Sequence, residues 1–143
     1  MEARIYIVPG KRGASKRSGE TYILMEAQTS KGIVTKDIYM PYEKESEIGA
    51  VLQSVITAAG HVKNGVRVKL YADCEGFNSA IDSGYLEKWA SNGWLTTKGQ
   101  PVKEGEKWRK VAYLLSHYDI SISKDDNGYK KYMREQLKRR ETA

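Results

Sequence analysis

Apolar and polar positions alternate from the first residues of the chain. Ile5 and Ile7 alternate with Arg4, Tyr6 and Val8, which predicts a strand over Ala3–Val8 that Pro9-Gly10 ends. Thr21–Gln28 and Ile33–Met40 are rich in β-branched and aromatic residues, and Thr29-Ser30-Lys31-Gly32 between them supplies turn chemistry. These two segments read as a hairpin. From Glu43 to Ala59 the period lengthens. Ile48, Val51, Leu52, Val55, Ile56 and Ala59 follow the i, i+3, i+4, i+7 spacing of one helical face, with Gly60 as the stop. Val66–Ala72 returns to period two and leaves Asp73 at its C-terminal end.

The second half of the chain continues the alternation of element types. Two short helices fill Phe77–Ala90 with a break near Ser83-Gly84, and Ser91–Gly105 is loop-like. Glu106–Ser116 sets Trp108, Val111, Ala112 and Leu115 on one helical face. A strand over Asp119–Ser123, a turn at Asp125-Asp126-Asn127-Gly128 and a last helix over Tyr129–Arg140 complete the order. Three strands, a helix, a strand, helices, a strand and a helix describe a mixed α/β domain. Its opening meander is antiparallel and its later strands are added in parallel through helical crossovers. One domain over residues 1–143, without internal repeat, is the expected organisation.

Size and composition agree with a globular domain: 143 residues, 40% apolar and 29% charged, enough to bury roughly 70% of the unfolded surface. The longest apolar run, Ile48–Ala59, falls short of the ~20 residues of a membrane span. Met1-Glu2-Ala3-Arg4 leads straight into a strand and carries no secretory pattern, so the cytoplasm is the expected compartment. A single cysteine, Cys74, excludes an intramolecular disulfide and a multi-cysteine zinc site. The net charge of +6 and pI near 9.3 point to an acidic partner, nucleic acid first. The cations gather at Lys11, Arg12, Lys16 and Arg17, and again at Lys130, Lys131, Arg134, Lys138, Arg139 and Arg140. A solvated C-terminal helix accounts for the second group equally well.

The stretch Trp89, Gly93-Trp94, Thr96, Pro101-Val102-Lys103 and Trp108 resembles the handle, or basic protrusion, of type 1 ribonuclease H. The element order resembles that family's over essentially the whole chain. The resemblance implies a ribonuclease H-like fold, a five-stranded mixed sheet flanked by helices. It also implies a nucleic-acid partner, an RNA–DNA hybrid or structured RNA. Lys88, Lys98, Lys103 and Lys107 would then lie along a phosphate backbone, with Trp89 and Trp94 fixing the loop. Packing of the tryptophans against the handle's own helices explains those rings without any ligand.

Members of that family cut the RNA strand with two divalent metals held by four acidic residues. The resemblance assigns catalytic positions to Glu47, Asp73 and Glu135, metal positions to Glu47 and Asp73, and Mg²⁺ or Mn²⁺ as cofactor. The first family acid has no counterpart, because the matching stretch reads Ile7-Val8-Pro9-Gly10-Lys11. The expectation is an impaired enzyme. Two further departures agree: Pro41-Tyr42-Glu43-Lys44-Glu45 puts carboxylates where the family contacts hybrid, and Lys124–Gly128 lacks the family's histidine. Asp125 or Asp126 is the candidate replacement ligand, although turn formation explains both. Three functions stay open: a nucleic-acid-binding module, an active nuclease with an altered carboxylate set, and a protein-interaction module using the acidic-aromatic run Tyr39–Glu47.

Overall fold

The first alternating segment becomes the centre of a sheet. The computed structural model describes residues 2–125 and 128–142, so the Asp126 and Asn127 part of the expected turn lies outside the described residues. Strand β1 (Glu2–Pro9) is buried from Ile5 onward. It pairs antiparallel with β2 (Arg17–Thr29) and parallel with β4 (Arg67–Ala72). Strand β3 (Gly32–Glu45) pairs antiparallel with β2, and β5 (Ile120–Ile122) pairs parallel with β4. The order is β3-β2-β1-β4-β5, a five-stranded mixed sheet.

The strand period distributes β1 between two cores. Ile5 and Ile7 face α1 (Glu47–Ala59), where Val51, Leu52 and Val55 meet them. The same core takes in Phe77 of α2 (Glu75–Asp82), Leu86 of α3 (Tyr85–Ser91), and Trp108 and Val111 of α4 (Gly105–His117). Tyr6 and Val8 face the other way. They pack with Tyr22, Leu24 and the buried stripe Met133/Leu137 of α5 (Lys130–Thr142). That second layer is built largely from aromatic rings: Tyr6 stacks on Tyr71 at 4.8 Å, and Tyr22 lies against Tyr39 at 4.3 Å.

The hairpin is longer than its alternation predicts, and the first helix starts later. Strand β3 runs to Glu45 because Tyr42 is buried and its hydroxyl accepts the Lys11 backbone N–H at 3.0 Å. Pro41 is tolerated there because β3 is an edge strand. Ser46 then caps α1, its hydroxyl accepting the Gly49 N–H at 3.1 Å, so Glu43–Glu45 belong to the strand. The break between α2 and α3 falls where expected, with Gly84 at φ 72°.

No described helix is long and apolar enough to cross a membrane. Strands β1 and β4 are parallel neighbours from which the chain departs toward opposite sides of the sheet. The crevice outside their C-terminal ends is where open α/β sheets bind ligands.

Candidate functional site at the ends of β1 and β4

Asp73 directly follows β4, and its backbone N–H donates to the Ile7 carbonyl at 2.9 Å, which fixes it against the end of β1. Tyr6 is paired in register with Tyr71. Two residues further along each strand, Val8 and Asp73 therefore share the α5 face. Val8 is 2% exposed. Where the resemblance implies an acid, the structure has a buried apolar side chain.

Glu47 is the first residue of α1, held by the Ser46 cap. Its carboxylate accepts the Gly13 N–H at 2.9 Å, and its own N–H donates to the Gly13 carbonyl at 3.2 Å. This reciprocal pair clamps the loop after β1 onto the helix and carries Arg12 into the crevice. The Arg12 guanidinium lies between the two carboxylates, 3.3 Å from Glu47 and 2.5 Å from Asp73, and also donates to the Asp73 carbonyl. From the other side Arg134 grips Asp73 in a fork, Nε at 2.7 Å and Nη2 at 2.9 Å. Lys130, one turn earlier on α5, stands 3.8 Å away.

Burial would raise the Asp73 carboxyl pKa, but hydrogen bonds and charge from Arg134 and Arg12 outweigh it and hold the group below the ordinary carboxylate range. The adjacent Cys74 is buried, and burial pushes its thiol up to about 12. It therefore stays protonated and unreactive at neutral pH. Beside Asp73 opens a cleft of about 480 Å³ lined by Tyr6, Tyr71, Asn78, Lys124 and Lys130.

Glu135 does not join this cluster. It is exposed and makes no ion pair or hydrogen bond among the described residues. Neighbouring helix positions point about 100° apart, so α5 can aim Arg134 or Glu135 at Asp73 but not both. Asp125 is exposed and bonds locally, its N–H donating to the Ser123 hydroxyl at 3.3 Å, as a turn residue does. Asp126 lies outside the described residues. Among the described residues no group of three His, Cys, Asp or Glu side chains forms a metal cage. The donor set does not fit a pair of divalent cations. Among the described residues only Glu47 and Asp73 stand at the crevice centre, and Arg12 and Arg134 already engage them.

The handle is a stack of rings. Trp89 packs 5.6 Å from Trp108 and 6.5 Å from Trp94, and Trp108 stacks on Phe77 at 5.7 Å. Trp94 takes a left-handed backbone, φ 62°, and its N–H donates to the Trp89 carbonyl at 2.7 Å. Lys98 and Lys103 are exposed and make no ion pair among the described residues. Lys88 lies 5.4 Å from the Tyr85 ring. Lys107 is different: it bridges Glu45 at 2.7 Å and Glu104 at 3.3 Å. Burial would lower its pKa, but those two carboxylates raise it instead. That cation is committed within the protein.

Arg12 and Arg134 are the site residues that sequence reasoning missed. Both stood in the basic clusters noted along the chain, 61 positions from Asp73 on either side, and for Arg12 no local pattern marks the pairing.

No family model matches the chain. Ribonuclease H of Prosthecochloris aestuarii is 33% identical over 82 residues, 54% of this chain and 56% of that protein. The chain spans about half the length of the curated relatives it matches. Among solved structures, a type 1 RNase H with the type 2 active-site motif superposes with a TM-score of 0.74 at 18% identity, over 96% of this chain and 69% of the other. The foamy viral protease-reverse transcriptase in complex with RNA/DNA hybrid matches at 0.66 and 17% identity, over 94% of this chain and 19% of that one. The chain has a ribonuclease H-like fold. Its resemblance is to the type 1 enzymes.

Proposed function

We propose that this domain binds nucleic acid, an RNA–DNA hybrid or structured RNA, and does not cleave it by the two-metal route. One observation carries the reading: the carboxylates at the ends of β1 and β4 are neutralised by the chain's own guanidinium groups. Two-metal hydrolysis needs carboxylate oxygens free to offset four positive charges and activate water. Here Val8 supplies none, and Arg12 and Arg134 compete for what remains.

Binding is supported separately. The net charge is +6, Lys98 and Lys103 make no ion pair among the described residues, and a fold neighbour is seen in complex with RNA/DNA hybrid. The run Tyr39–Glu47 gives less support to a protein-docking role, because several of its members are used internally. Arg140 covers the Tyr39 ring at 3.9 Å, Tyr42 is buried, and Glu45 holds Lys107.

The test is a labelled hybrid incubated with the protein in Mg²⁺ and in Mn²⁺. The expected result is salt-sensitive retention of an intact RNA strand. Metal-dependent cleavage that an Asp73→Asn variant abolishes would overturn the reading.

A further inference from the structure

The cations around Asp73 are arranged for more than holding one carboxylate. Arg12 comes from the loop after β1, and Lys130 and Arg134 come from α5. The Asp73 side chain is 12% exposed, whereas Arg12, Arg134 and Lys130 are 42%, 48% and 40% exposed. The carboxylate lies beneath and the cations face solvent. An approaching ligand meets positive charge first.

The hydrogen-bond inventory points to the ligand. Within the ion-pair cluster itself two carboxylates stand against three cations, while the adjoining cleft adds Lys124 and the carboxylates Glu75, Asp82 and Asp125, so directed N–H donors rather than net charge would hold a phosphodiester. A guanidinium carries five N–H donors. Arg12 uses its two terminal nitrogens on Glu47 and Asp73, and Arg134 uses Nε and Nη2 on Asp73. Nε of Arg12 and Nη1 of Arg134 stay uncommitted among the described residues. Lys130, at 3.8 Å, is beyond hydrogen-bond range of Asp73, and its ammonium has no hydrogen-bond partner among the described residues. The cleft of about 480 Å³ that Lys130 borders leaves room for the nucleotide attached to such a phosphate.

We propose that Arg12, Arg134 and Lys130 form a metal-independent seat for one backbone phosphate of a nucleic acid, at the position where the resemblance would put metal ions. The inference rests on the nucleic-acid-binding reading and adds to it a place and a ligand group. Glu47 holds the Arg12 guanidinium toward the crevice in the free protein.

Anisotropy of a fluorescent RNA–DNA hybrid, titrated with the full chain across a salt series, tests it. Excess EDTA leaves wild-type affinity unchanged. Arg12→Gln weakens binding about tenfold and lowers the salt slope by about one. Arg134→Gln does the same. Should the loss of its Asp73 fork unfold α5, the loop substitution at Arg12 decides alone. Binding that requires Mg²⁺ overturns the seat, as does Arg12→Gln binding with wild-type affinity and slope. In the latter case the nucleic-acid-binding reading stands without the seat. A wild-type protein that binds no hybrid or structured RNA sinks both.

Discussion

The ends of β1 and β4 and the handle treat charge in opposite ways. At the ends of β1 and β4, half-exposed cations pair with carboxylates beneath them, and Arg12 and Arg134 share Asp73. On the handle, aromatic rings turn inward, and Lys98 and Lys103 stay in water without partners among the described residues. The handle keeps its shape by ring packing, which is indifferent to salt. The strand ends keep theirs by ion pairs around a poorly exposed carboxylate. The two regions thus place their cations on different supports. The two regions should respond differently to substitution, acid and salt.

The largest effect is expected on the packed side. Trp108 is 2% exposed and touches Phe77 and Trp89, so Trp108→Ala should cost about 3–5 kcal/mol, read by urea unfolding. A loss well under 1 kcal/mol would mean the rings do not hold the handle. Next comes the charged side. Asp73→Asn removes the anion on which Arg12, Arg134 and Lys130 converge, and stability should fall by about 1–3 kcal/mol. Hybrid affinity should rise in the same variant, because the cations lose their competitor. Stability and binding moving together would break the contrast.

Acid should separate the regions further. Asp73 has a folded pKa below its unfolded value, so its contribution is present above about pH 4, the unfolded carboxylate range. It is lost as pH falls through the folded pKa. Glu20, lowered by its hydrogen bonds to Arg140, works in the same direction at the other end of α5. Wild type should therefore lose more stability than Asp73→Asn between pH 6 and pH 3, measured by denaturant midpoints. Equal losses would show that the ion pairs contribute nothing. The smallest effects lie among the handle lysines. Lys103→Gln should lower the salt slope of hybrid binding by about one. Lys107→Gln, which breaks the bridge to Glu45 and Glu104, should leave the slope nearly unchanged and reduce stability slightly.

Much of the fold was legible because hydrophobic period decides it. The strand at Ala3–Val8 and the helical face from Ile48 to Ala59 both appear as their spacing predicts. The start of the first helix was misplaced because Tyr42, a buried strand residue, lies inside a charged run that reads as a helix beginning. The chemistry of the site was less legible. Asp73 and Glu47 could be placed by their positions at a strand end and a helix start. Arg12 could not, because a backbone clamp between Gly13 and Glu47 carries it there.

The α5 face was in fact readable. Met133 and Leu137 mark the buried stripe, and Lys130 and Arg134 flank it at i, i+4 spacing. Glu135 is two positions from both apolar residues, about 200° around the helix, and so faces solvent. Helix phase, rather than likeness to an acidic motif, selects the residue that reaches Asp73.

Mn²⁺ uptake, followed by the loss of the free-ion paramagnetic resonance signal during titration, tests the central claim most directly. If Arg12 and Arg134 already serve as the cations of this crevice, the free Mn²⁺ signal grows from the first addition, and Asp73→Asn traces the same line. Stoichiometric uptake of one or two ions, abolished in Asp73→Asn, would contradict it.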